Sequence, residues 1–160
     1  MRVMKSYYIR LCLLVIFFVV SCGGGGSSTP PTPTASLSAS IQDVEVGKVT
    51  TLTWSSTNAT ACSATGSWSG SKAVSGSEEV TVGVAGSNTF NLACSNADAT
   101  LTGSASVTVS GYRITTGVVV DGYISGASIF IDENNDYVAD SNENSTTSDN
   151  EGKFTIRYAN

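Results

Sequence analysis

From Ser36 onward, apolar residues recur at every second position and never form a series at helical spacing. Val44 and Val46, Leu52 and Trp54, Val80, Val82 and Val84, Phe90, Leu92 and Cys94, and Val107 and Val109 are each separated by one residue. Successive side chains of a strand point to opposite faces, so each run can bury one face and wet the other. Gly47, Gly66, Gly76, Gly86 and Gly103 fall between the runs, where turns call for positive φ. This pattern predicts an all-β sandwich whose two inner faces collect the alternating residues.

The N-terminus follows different rules. Arg2, Lys5 and Arg10 precede the ten-residue apolar run Leu11 to Val20. That run is too short to span a bilayer, which takes about 20 residues, and it reads as a secretory signal. Its end, Val19-Val20-Ser21-Cys22, followed by four glycines, resembles the bacterial lipobox. The resemblance implies cleavage after residue 21 and acylation of Cys22, which becomes the new N-terminus. Buried acyl chains contribute about 0.8 kcal/mol per methylene, enough in combination to hold a protein on a membrane. Gly23, in place of an Asp after the cysteine, implies an outer-membrane or cell-surface destination. The plainer alternative is an ordinary secretory signal in which Cys22 has no role. Residues 22–35 contain all three prolines and no large apolar side chain. Such a stretch cannot bury enough surface to fold and is expected to be a disordered spacer reaching roughly 20 to 40 Å.

Cleavage would leave 139 residues with five basic and thirteen acidic side chains, a net charge of -8. An anionic surface repels phosphate backbones, so nucleic acid is not an expected partner. The chain contains no histidine, which removes the commonest general base and makes a Ser-His-Asp arrangement impossible. Cys12 leaves with the signal and Cys22 would be acylated, so Cys62 and Cys94 remain. In an exported protein such a pair reads as one disulfide. No C-x-x-C spacing and no basic neighbour points to a redox role instead.

Leu52-Thr-Trp-Ser-Ser-Thr-Asn-Ala-Thr-Ala-Cys62, Gly66-Ser-Trp-Ser-Gly70 and Phe90-Asn-Leu-Ala-Cys94 together resemble an immunoglobulin-like module of bacterial surface proteins, over residues 36–110. Antibody domains place the first cysteine before the buried Trp, whereas Trp54 here precedes Cys62. The bridge is therefore expected between two later strands. Trp68, flanked by Ser and Gly, is either a stacking platform for sugar or a side chain that folds back to cap the sandwich.

Residues 111–160 form a second segment. Eight acidic residues lie between Asp121 and Glu151 with no Lys or Arg among them. Short strands are expected at 117–120, 127–131 and 153–158. Between the last two, Asp132, Asn134, Asp136, Asp140 and Glu143 place side-chain oxygens at loop positions 1, 3, 5, 9 and 12, with the Val138 carbonyl at 7. That is the EF-hand ligand spacing, by which one loop wraps a hard cation in oxygens, and calcium is the expected ion. Tyr137 stands at position 6 in place of the usual Gly, where a bulky residue at positive φ is strained. The opposing reading is a solvated acidic hairpin that binds nothing. Val119 to Asp132, with Thr147 to Phe154, resembles the start of prealbumin-like or carboxypeptidase-regulatory-like β repeats. Such repeats usually have more strands than this segment supplies, so it either docks on the first domain or is a truncated copy.

The expected function is that of a non-enzymatic surface lipoprotein: a stalk, adhesion or interaction module held to the membrane through Cys22, with a surface protein or glycan as partner. Two alternatives stand beside it. One is a carbohydrate-binding module using Trp68, Tyr123 or Tyr137; the other is the N-terminal accessory region of a longer exported enzyme.

Overall fold

The computed structural model describes residues 30–97 and 101–159. The signal at 1–21, Cys22 and the spacer as far as residue 29 lie outside the described residues, and the fold concerns the unit Pro31–Asn160. It is all-β, with no helix among the described residues. Eleven strands run in chain order: β1 Thr34–Ala39, β2 Asp43–Glu45, β3 Val49–Thr57, β4 Ala61–Gly66, β5 Gly70–Lys72, β6 Ser75–Thr81, β7 Gly86–Ser95, β8 Thr102–Val118, β9 Ser128–Phe130, β10 Ser145–Thr147 and β11 Lys153–Tyr158.

One sheet has the order β1-β3-β6, and a second has β11-β8-β7-β4-β5, with β2 added parallel to β8. A separate hairpin pairs β9 with β10. The core lies between the first two sheets. Leu52 and Trp54 come from β3, Phe90 and Leu92 from β7, and Val107 and Val109 from β8, all buried as the alternation demands. Burying each large apolar side chain contributes about 1.5 to 3 kcal/mol. The outward positions carry hydroxyls instead, and Thr34 pairs with Thr57 at 2.7 Å and Ser36 with Ser55 at 2.8 Å across β1 and β3. These features, with the disulfide described next, are consistent with an immunoglobulin-like sandwich.

Cys62 on β4 and Cys94 on β7 are bonded and directly opposite each other in register. The bridge therefore ties neighbouring strands of one sheet and does not cross between sheets as in antibody domains. Trp68 also lies in the core, 7% exposed, with its Nε1 donating to the Asn91 carbonyl at 2.9 Å. Its ring meets Trp54 edge-on at 5.5 Å and Phe90 at 6.3 Å, and the Lys72 ammonium sits over it at 4.8 Å. A ring covered in this way has no face left for a sugar, so Trp68 drops out as a stacking platform.

Three local readings need correction. Val84 is 55% exposed because β6 has already ended at Thr81 and the chain has turned away. Gly47, Gly66 and Gly86 do have positive φ, but Gly76 and Gly103 do not. They lie inside β6 and β8, where something presses on them: a Cβ on Gly76 would sit 2.8 Å from the Trp54 ring, and one on Gly103 would sit 2.6 Å from the Pro33 carbonyl oxygen. The third concerns strand length. β8 runs unbroken through Ser110, pairing with β7 from Thr102 to Gly111 and with β11 from Arg113 to Val118.

Candidate functional site

The acidic loop joins β9 to β10, and its base is closed where Ile131 N donates to the Asn144 carbonyl at 2.9 Å. Within it, short polar side chains fold back on the backbone, as Asp and Asn do in turns. Asp132 Oδ2 accepts from Tyr137 N at 3.0 Å and its Oδ1 from Asp136 N at 3.3 Å. Asn134 Oδ1 accepts from Asp136 N at 3.1 Å, and Asp136 Oδ1 from Val138 N at 2.8 Å. Glu143 reaches back from the far end, taking Glu133 N at 2.9 Å and Asp140 N at 3.1 Å on its two oxygens. It is buried at 7% exposure. The loop is thus curled so that residues 132, 134, 136, 140 and 143, read from spacing alone, belong to one hydrogen-bonded turn.

Tyr137 adopts φ 64 and Asn135 φ 60. The turn that Gly would make at position 6 is made by Tyr, whose side chain is 89% exposed and packs on nothing. A left-handed L residue costs roughly 1 to 2 kcal/mol relative to the right-handed form. The ladder of backbone bonds to Asp132, Asn134 and Asp136 holds the residue there.

All the loop's side-chain donors are oxygens, the set a hard divalent cation takes. Among the described residues, however, no three acidic side chains group closely enough to hold a metal ion. The Asn134 amide nitrogen intervenes, donating to Asp136 Oδ2 at 3.0 Å and to Asp140 Oδ2 at 3.1 Å. The positive end of a neutral dipole thus stands between two carboxylates, where a cation would serve better. Apart from that amide nitrogen, Asp132, Asn134, Asp136, Asp140 and Glu143 offer oxygens of the kind a hard divalent cation takes.

A second grouping was invisible in the sequence. Arg157 of β11 lies over the Tyr112 ring of β8 at 3.6 Å and pairs with Asp43 of β2. It clasps three strands whose residues are far apart in the chain, and no local pattern signals it. Tyr123, raised from sequence as a stacking residue, lies in an open cleft with φ 54. Neither a protein-family model nor a curated protein sequence matches the chain.

Proposed function

We propose that this is an exported, non-enzymatic surface lipoprotein, held to the outer membrane through Cys22 and serving as a stalk, adhesion or interaction module stiffened by calcium in the loop 132–143. The lipobox-like Val19-Val20-Ser21-Cys22 and the Gly/Pro spacer support the address. The absence of histidine from the sequence supports a role outside acid-base catalysis.

The observation that carries the calcium reading is the Asn134 amide wedged between the Asp136 and Asp140 carboxylates, inside a loop whose polar side chains already bend inward. Asp132, Asn134, Asp136, Asp140, Glu143 and the Val138 carbonyl are the groups that would hold the ion. Calcium would neutralise like charges that otherwise repel and would lock the β9-β10 hairpin. At ten times its Kd it would add about 1.4 kcal/mol, raising the melting temperature of this unit by about 5 °C. Melting in calcium and in EDTA tests this, with Asp136→Asn and Glu143→Gln expected to remove the shift. Identical wild-type melts in the two buffers would sink the calcium reading.

A further inference from the structure

We propose that the cleft between the turn Val120–Tyr123 and the turn Asp149–Lys153 binds a neutral oligosaccharide, with the Tyr123 ring as its stacking platform. The cleft encloses about 650 Å³ and is lined by Val118, Val120, Tyr123, Asn150, Glu151 and Lys153. Small-ligand sites fall in this size range and combine apolar side chains with a few polar groups, as this lining does.

Tyr123 stands at φ 54 directly after Gly122 at φ 79. Gly or Asn takes that backbone at little cost, whereas an aromatic residue rarely does. The side chain is 65% exposed, and its neighbour Val120 is 71% exposed. A strained residue with so little burial adds little to the core, and unlike Tyr137 this one lines a cleft, where its ring is free to meet a ligand.

The walls of the cleft are already fixed. Val119 N donates to the Gly152 carbonyl at 2.7 Å, and Ser125 Oγ donates to Asn150 Oδ1 at 3.1 Å. Asp149 Oδ1 accepts from Glu151 N at 2.8 Å and from Lys153 N at 2.9 Å, which sets the turn between β10 and β11. The two backbones touch: a Cβ on Gly152 would sit 2.4 Å from the Val119 carbonyl oxygen. A preformed cleft orders little on binding, so more of its contact energy appears as affinity.

The C–H face of a pyranose packs on a Tyr ring and valine methyls, and its hydroxyls need both donors and acceptors at the rim. Lys153, Glu151 and the Asn150 amide supply both kinds. Lys153 is already paired with Glu151, so the cleft holds no uncompensated positive charge for a sulfate or carboxylate. The net charge of -8 on residues 22–160 opposes an anionic ligand further.

This assignment gives the interaction-module reading a partner class and rests on it only for display of the domain outside the cell. No lining residue belongs to the loop 132–143. The test uses the full-length protein in detergent, screened against neutral gluco-, manno- and galacto-oligosaccharides and a sulfated oligosaccharide, with titration calorimetry on the best neutral binder. Tyr123→Phe should bind as wild type, and Tyr123→Asn, which suits the backbone better and keeps the fold, should bind roughly tenfold more weakly or not at all. Tyr137→Ala, a change at the more exposed tyrosine outside the cleft, should bind as wild type. Binding should survive EDTA, so failure of the calcium loop leaves it standing, and failure of glycan binding leaves any calcium melt shift standing. No binding to any neutral oligosaccharide, preference for the sulfated one, or unchanged binding by Tyr123→Asn would each overturn the proposal.

Discussion

Removing the Cys62–Cys94 bridge by the double change Cys62→Ala and Cys94→Ala should cost more than any single core truncation of similar size. The two residues are 32 apart in sequence. In the chain-entropy model, closing a loop of that length removes about 3 to 4 kcal/mol of freedom from the unfolded chain. Both side chains are also buried, at 3% and 0% exposure, so the lost sulfur contacts add to the penalty. For a cooperative unit of roughly 130 residues, unfolding entropy is about 0.27 kcal/mol per kelvin, so the expected fall in melting temperature is about 10 to 15 °C. Circular dichroism melts of the oxidised wild type and the double variant measure it directly. Reduced wild type should melt near the variant, because both lose the same cross-link. A fall of only a degree or two would refute the reasoning, and would mean that the pairing of β4 with β7 already restricts the unfolded chain or that the bridge is strained.

Two further substitutions probe local claims. Tyr137→Gly removes the left-handed penalty at φ 64 and should both stabilise the loop by about 1 to 2 kcal/mol and tighten calcium binding, read from the midpoint of a calcium titration. Gly76→Ala drives a methyl against the Trp54 ring and should destabilise by about 1 to 3 kcal/mol in denaturant melts, with calcium binding unaffected.

What was legible in the sequence follows from period. Phe90, Leu92 and Cys94, or Val107 and Val109, can be buried together only on a strand, and these residues form the core. The disulfide was legible because Cys62 and Cys94 are the two cysteines that lie beyond the N-terminal 22 residues. Trp68 was ambiguous because Ser and Gly neighbours suit both an exposed loop and a chain doubling back, and only the rings of Trp54 and Phe90 across the core decide between them. β8 could not be read as one strand, since past Gly111 it leaves the two-sheet core and its alternation weakens through Arg113, Ile114, Thr115 and Thr116, all exposed. The Arg157, Tyr112 and Asp43 clasp depends on three strands meeting, which no local pattern encodes. In the acidic loop, spacing located the oxygens, whereas the Asn134 amide between two carboxylates is a matter of rotamer.

The proposed surface module stands or falls with acylation of Cys22. Metabolic labelling with an alkyne-bearing palmitate, followed by membrane fractionation, compares wild type with Cys22→Ser. Labelled wild type in the outer-membrane fraction, with Cys22→Ser unlabelled and its signal uncleaved, is the predicted result. Unlabelled wild type released in soluble form would contradict the anchored surface module.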